Sequence, residues 1–309
     1  MKTLSPLVLV LLAGSVLAAP FAYVPNEKSA TASVIDTATD QRGADLLVGQ
    51  RPRGAVTDGT LLYVTDAKAG SLLTVDPKNG KVLRATPLGA SPEGLGLSAD
   101  GKLLAAAVED DNSVVLVDAA SGKVLERIKV EGRNPEHAVF SPDGSWLYVS
   151  AEEAEQVDVI DVAKRRQSGH VAVGKRPRGI AFLADGSRAY VACELAGKVF
   201  AIDVASQRVI AEIAAGEYPN GVAAHPDGRR VFVSNGRDGT VMAIDTASNA
   251  VVATIEVGKR PWNMALTPDG TKLYVANGRS NSVLVIDTGS YRKLADIEVG
   301  ELPWGVSIR

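Results

Sequence analysis

An all-β ring of seven four-stranded blades is the fold this sequence predicts, and three observations predict it. The first is the stretch Gly258 to Trp304, which divides into four short runs rich in apolar and β-branched residues: Met264–Leu266, Lys272–Val275, Ser282–Ile286 and Leu294–Val299. Runs of this length and composition, bounded by polar turn clusters, read as strands. The second is a pair of markers that recur along the chain. An Asp ending the third strand stands at Asp36, Asp76, Asp118, Asp161, Asp203, Asp245 and Asp287, and a Pro opening the first strand stands at Pro52, Pro92, Pro135, Pro177, Pro219, Pro261 and Pro303. Their spacing is 40 to 43 residues throughout. A four-stranded repeat of this period is the signature of a β-propeller blade. The third is the turn between first and second strands, Asp-Gly in six copies from Asp58-Gly59 to Asp269-Gly270. Asp caps such a turn and Gly accepts its positive φ.

The elements follow in chain order. Met1-Lys2-Thr3, the apolar run Leu7 to Leu12 and the stretch Val16-Leu17-Ala18, with Val16 and Ala18 at the positions that precede cleavage, have the form of a secretory signal peptide over residues 1–18. Its apolar run is short for a bilayer span, and no other stretch reaches that length, so the sequence predicts a soluble chain, periplasmic or secreted. One propeller domain then fills residues 19–309. Six blades begin near 52, 92, 135, 177, 219 and 261. The seventh is shared: residues 21–48 supply three strands and 303–309 the missing first one, so the two ends close the ring and leave no open sheet edge there. The second strands read Tyr-Val in five blades and Phe232-Val233 in a sixth; the exception, Ala105-Ala106-Ala107, predicts a less well filled blade.

Composition excludes several function classes. The formal net charge of −3 argues against general attraction to nucleic acid or anionic membrane. The only cysteine, Cys193, has no internal disulfide partner and no adjacent base, so it reads as a structural thiol. The three histidines share no ligand spacing, and no phosphate-cradling Gly loop opens a helix. Neither a metal site nor a catalytic constellation is predicted. The acidic stretches Glu109-Asp110-Asp111 and Glu152-Glu153 read as a solvated rim.

The variable positions lie beside the Pro that opens each first strand, at the mouth of the central channel. Following it come Trp304, Arg53, Glu93, Glu136, Arg178, Asn220 and Trp262; preceding it come Arg51, Arg176 and Arg260, among others. A purely structural position would be filled more uniformly. With His137 beside Glu136, these eleven residues form the candidate binding site. Arg offers bidentate hydrogen bonds to carboxylate or phosphate and Trp offers stacking area, so the predicted ligand is anionic, planar or carbohydrate-like. Glu93 and Glu136 are the groups that would pair with the arginines when nothing is bound.

Tyr-Val-(Thr/Ala/Ser)-Asn, Val-Ile-Asp-Thr-Ala and Pro-x-Gly-x-Ala-x-x-Pro-Asp-Gly at a period near 42 resemble the YVTN family of β-propeller repeats, over essentially the whole chain after the leader. More narrowly, Gly49-Gln50-Arg51-Pro52-Arg53-Gly54 and Pro261-Trp262-Asn263-Met264-Ala265 are similar to the PQQ-dependent catabolism-associated β-propeller proteins. That resemblance implies an accessory role in periplasmic, PQQ-linked (quinoprotein) alcohol oxidation, with a quinoprotein dehydrogenase or a transport component as partner and PQQ or a related anion as the ligand to consider. The expectation is thus a non-catalytic binding or scaffold propeller. A lactonase- or lyase-type enzyme, a redox subunit and a surface or nucleic-acid-binding propeller are the competing classes.

Overall fold

The computed structural model describes residues 20–309, so the predicted leader lies outside the described residues. Within them the chain forms seven four-stranded antiparallel sheets and no helix. Counting the shared blade as blade one, blades two to seven begin at Pro52, Pro92, Pro135, Pro177, Pro219 and Pro261. Blade seven is representative: Pro261–Leu266, Lys272–Asn277, Ser282–Asp287 and Lys293–Glu298 pair in that order. Its inner strand starts three residues earlier than the apolar pattern suggests. The pairing of Pro261 with Asn277 is followed by a register shift before Met264 pairs with Val275. The same shift follows Pro52, Pro135, Pro177 and Pro219. A bulge re-aims the side chains that follow it, and in these five blades it falls on the stretch that carries Arg53, Glu136, Arg178, Asn220 and Trp262.

The recurring Asp and Asp-Gly markers have local causes. Asp245 and Asp287 each accept the backbone N–H three residues on, at 2.8 and 2.7 Å, and so cap the outer hairpin. Asp269 accepts the N–H of Thr271 at 3.0 Å while Gly270 takes φ 73°. The second-strand Asn has a similar task. Asn235 Oδ1 accepts the N–H of Gly216 at 3.2 Å, bracing the loop that leads to the next inner strand.

The ring closes through the C-terminal segment. Tyr23 and Ser307 exchange backbone hydrogen bonds at 2.9 Å each, and Trp304 N–H donates to Pro25 C=O at 2.9 Å. The outer edge of blade one is broken into Gln41–Arg42 and Leu46–Leu47.

Seven apolar clusters fill the seams between blades. In most seams an aromatic second-strand residue meets a smaller side chain of the next blade: Tyr190 shares a cluster with Ala224, and Tyr274 with Ile308. The Ala105–Ala107 strand is not underfilled, contrary to expectation. Ala105 and Ala107 are fully buried, and Phe140 of blade four occupies the same cluster. The volume missing from one blade is supplied by its neighbour, as close packing requires.

Inner strands approach one another closely because the motif is Pro-x-Gly. A Cβ on Gly54 would lie 2.6 Å from Glu93 O, and one on Gly179 would lie 2.5 Å from Asn220 O. Two blades break this rule, with His137 and Asn263 where the others have Gly.

Candidate functional site

The mouth of the channel is built on a repeated backbone clamp. The first residue after each second strand donates its N–H to the carbonyl of the residue preceding Pro: Glu27 to Leu302, Ala67 to Arg51, Glu109 to Ser91, Glu152 to Asn134, Glu194 to Arg176, Gly236 to Tyr218 and Gly278 to Arg260, at 2.7 to 3.0 Å. Six of the seven acceptor residues (all but Arg51) are non-glycine residues at φ between 52° and 58°. Left-handed backbone of this kind costs about 1–3 kcal/mol per residue and is kept where the surroundings enforce it. The clamp sets the side chains before and after Pro beside the residue that follows the second strand.

That third position carries acids the sequence reading did not place at the site: Glu27, Glu109, Glu152 and Glu194. Glu152 was expected on a solvated rim. Instead its side chain is 9% exposed and paired with Arg178, and with Arg176 at 3.4 Å. The signal was present in the repeat, since the same register holds Glu in four blades, but only the fold shows that this register faces the arginines.

The result is two networks of alternating charge rather than an open cradle. Arg51 Nε donates to Glu27 Oε1 at 2.8 Å. Arg53 Nη1 donates to Glu93 Oε2 at 2.8 Å, and its other guanidinium nitrogens face Glu27. Arg178 Nη1 donates to Glu136 Oε1 and its Nε to Glu194 Oε2, both at 2.8 Å. Arg176 lies 3.3 Å from Glu194, and Arg260, two blades further round, donates to Glu194 Oε1 at 2.8 Å. All five predicted arginines are therefore engaged with Glu side chains, with Glu93 beside Arg53 and Glu136 beside Arg178.

The electrostatics of these networks are uneven. Burial pushes the Glu93 carboxyl up to about 8, with Glu136 adding to the effect and Arg53 opposing it. Glu152 is pushed up to about 7, again by burial first and then by Glu136, against Arg178 and Arg176. Burial acts on Glu136 in the same direction but is outweighed, chiefly by Arg178 and with help from Arg53, which hold this carboxyl below the usual range. Arg178 is held fully charged: burial opposes its charge, but Glu136, Glu152 and Glu194 more than compensate. Opposite charges at hydrogen-bond distance and like charges sharing a buried site shift pKa in these opposite senses.

The two tryptophans do not form a stacking platform. Trp304 is 8% exposed and stacks on His137, with ring centroids 5.3 Å apart and planes inclined by 18°. His137 Nε2 lies 3.2 Å from Asn263 Oδ1, and Asn263 Nδ2 donates to Trp304 C=O at 3.3 Å. These three residues, from blades four, seven and one, plug the channel. Burial, ahead of the repulsion from Arg178, depresses the His137 pKa and favours the neutral ring. Beneath the plug lies a cavity of about 250 Å³ lined by Leu95, Ile180, Val222, Met264 and Val306. Trp262 is half-buried over Gly278, where a Cβ would lie 2.4 Å from its ring, and its carbonyl accepts Ser234 Oγ–H at 2.6 Å. Asn220 is buried in the mouth of blade six. Asn263 was missed as a site residue; its signal was the break in the Pro-x-Gly rule that it shares with His137.

Among the described residues no group of three or more His, Cys, Asp or Glu side chains is placed to hold a metal ion. No helix of the described residues is long and apolar enough to cross a membrane. Cys193 is buried, and burial pushes its thiol up to about 12.

Comparison with known proteins agrees with this architecture. The family model described as "Lactonase, 7-bladed beta-propeller" matches residues 161–300, which run from the end of blade four's third strand through blade seven. No curated protein sequence matches the chain. Among solved structures, Kuenenia stuttgartiensis hydrazine synthase superposes with a TM-score of 0.79 at 22% identity, covering 92% of this chain and 99% of that one. A functionally unknown protein from Desulfotomaculum acetoxidans DSM 771 superposes with a TM-score of 0.82 at 17% identity, covering 93% and 98%. At such identities the likeness is one of fold. The chain is a seven-bladed propeller with a stretch of Lactonase-type propeller sequence in its later blades.

Proposed function

We propose that this chain is a non-catalytic binding propeller whose channel mouth docks a partner protein. The single observation that carries this reading is the saturation of the guanidiniums. Arg178 is held by Glu136, Glu152 and Glu194, and Arg53 by Glu27 and Glu93. A small anion would have to displace buried carboxylates to reach them, and the His137–Trp304 stack closes the channel below. What remains is an ordered polar plate, pre-organised by the backbone clamp, and pre-organisation favours association by reducing the ordering cost. The leader-like sequence of residues 1–18 supports export to the periplasm, and the narrower resemblance to the PQQ-dependent catabolism-associated propellers supports an accessory role in PQQ-linked alcohol oxidation, with a quinoprotein dehydrogenase as the partner. Native purification with chemical cross-linking tests it. Wild-type protein should co-elute with the dehydrogenase, and reversing the half-exposed Arg51 and Arg176 to Glu should release it. A free propeller, or one carrying a stoichiometric small molecule by native mass spectrometry, would overturn the reading.

A second reading has its own support. Burial pushes the Glu93 and Glu152 carboxyls up to about 8 and about 7, the range in which general acids and bases work, and the family model described as Lactonase matches residues 161–300 of the same ring. Lactone hydrolysis by wild-type protein that is lost in Glu152→Gln would establish it in place of the first.

A further inference from the structure

The seven-fold repeat allows one position to be compared with its six equivalents. The second residue after each second strand lies opposite the second residue before Pro, and in five blades the first donates its N–H to the carbonyl of the second: Lys28 to Glu301, Glu153 to Arg133, Leu195 to Lys175, Arg237 to Glu217 and Arg279 to Lys259, at 3.0 to 3.2 Å. In blade one the two side chains form an ion pair, Lys28 to Glu301 at 2.5 Å, and in blade six Arg237 Nε lies 3.0 Å from Glu217 Oε2. Blade four also sets opposite charges there. In blade seven the pair is Lys259 and Arg279, two cations in the register where the neighbouring blades close a Lys–Glu or Arg–Glu pair.

The surroundings add to this charge. Lys259 and Arg279 line a cleft of about 740 Å³ along the seam of blades six and seven, together with Tyr218, Arg237, Arg260 and Lys293. Tyr218 holds the guanidiniums of Arg237 and Arg260 against its ring, 5.5 and 5.4 Å from the centroid. Two acids also line the cleft. Asp238 is occupied with the backbone N–H of Glu217 at 2.7 Å, and Glu256 stands on the outer strand. Among the described residues no carboxylate oxygen comes within 4.0 Å of Lys259, Arg279 or Lys293. A basic cleft of this size stands out on a chain whose formal net charge is −3.

We infer that this cleft receives an acidic segment of a partner protein, whose carboxylates take the place that Glu301 and Glu217 hold in blades one and six. Arg237 and Arg260 are already met by Glu217 and Glu194, so the pull on an anion comes from Lys259, Arg279 and Lys293, and like charges set opposite each other favour any ligand that separates them with an anion. The groove runs from the mouth (Tyr218, Arg260) to the perimeter (Lys293, Glu256), which suits an extended chain. Single-stranded nucleic acid fits less well, because it binds by stacking bases on free aromatic faces and Tyr218 already carries two guanidiniums. The inference deepens the docking reading by naming the partner's chemistry, and it rests on that reading for the partner being a protein.

The test uses the full-length mature protein and a fluorescent peptide of alternating glutamate and glycine, titrated by anisotropy. The same peptide with glutamine for glutamate, an oligothymidylate and inorganic phosphate serve as comparisons. Lys259→Glu and Arg279→Glu each rebuild an opposite-charge pair of the kind found in blades one and six, so both should fold with an unchanged melting temperature. Each should weaken the acidic peptide by about tenfold or more, and added salt should weaken it in wild type. Absent peptide binding, binding that both variants leave unchanged, or oligothymidylate or phosphate binding as tightly with the same sensitivity would overturn the inference. Peptide failing while a dehydrogenase still co-elutes would sink this inference alone. Site-specific peptide binding with no co-eluting partner would sink the quinoprotein reading and leave this one standing.

Discussion

The imidazole of His137 and the indole of Trp304 stack at 5.3 Å from blades three places apart in a ring of seven, so one aromatic pair spans the channel. The same Trp304 supplies a backbone N–H to Pro25 in the closing blade. Plug and ring closure are thus one structural unit. Replacing Trp304 by Ala should cost about 3–5 kcal/mol, the range for removing a buried large aromatic. Urea unfolding would measure it. The variant should also let water reach His137, raising the ring's pKa toward its ordinary value in an NMR titration. A loss under 1 kcal/mol would show that the stack is not a packing element.

Glu93 links stability to pH. Its folded pKa, about 8, lies above the ordinary carboxylate value of 4.5, so the folded state binds the proton more tightly than the unfolded chain. Stability should therefore fall as pH rises from about 4.5 to about 8, with a contribution of up to about 1.4 kcal/mol per pH unit from one such proton. Glu152, at about 7, acts in the same direction over a narrower window. Glu93→Gln should flatten the profile, read as urea midpoints at pH 5.5, 7 and 8.5. An unchanged slope in the variant would rule out Glu93 as its source.

Arg178 sits among three buried carboxylates. Removing one partner from a buried ionic network leaves charge uncompensated, at a cost of about 3–5 kcal/mol. Arg178→Met should show this loss at pH 7.5 and a smaller one at pH 5, where carboxylates no longer held by the guanidinium can protonate. Arg178→Lys should recover only part, because an ammonium cannot reproduce the fork that meets Glu136 and Glu194 together. Equal losses for Met and Lys would argue that the network is held by something other than the guanidinium.

Cys193 offers a readout of opening. Buried in the second strand of blade five, with its thiol pushed up to about 12, it should be inert to a thiol reagent in native protein at pH 8 and react at the rate of global unfolding. Stoichiometric labelling within minutes under native conditions would mean that blade five opens independently.

Much of the fold was legible in the sequence because a propeller repeats its local chemistry. Each blade carries the same Asp-capped hairpins and Pro-initiated inner strand, so period and copy number follow from counting. Local pattern also located the channel mouth, since Arg53, Glu93, Glu136 and Arg178 vary where the surrounding motif does not. It did not bring in their further partners, Glu27, Glu152 and Glu194. Glu194 lies 16 residues from Arg178 within its blade, Glu152 meets arginines of the next blade, and Arg260 is 66 residues from Glu194. Composition cannot report such pairings.

The sequence by itself determined the blades and their number, because these depend on hydrogen bonds and turns within about 42 residues, and the repeat cut short at each end marked the blade that the two ends share. Only the tertiary structure decided that the arginines are saturated and that Trp304, His137 and Asn263 plug the channel. It alone left Lys259 facing Arg279. Those outcomes depend on how seven inner strands converge on one axis, where residues far apart in the chain share a small, poorly solvated volume and each charge is set by its neighbours across the ring.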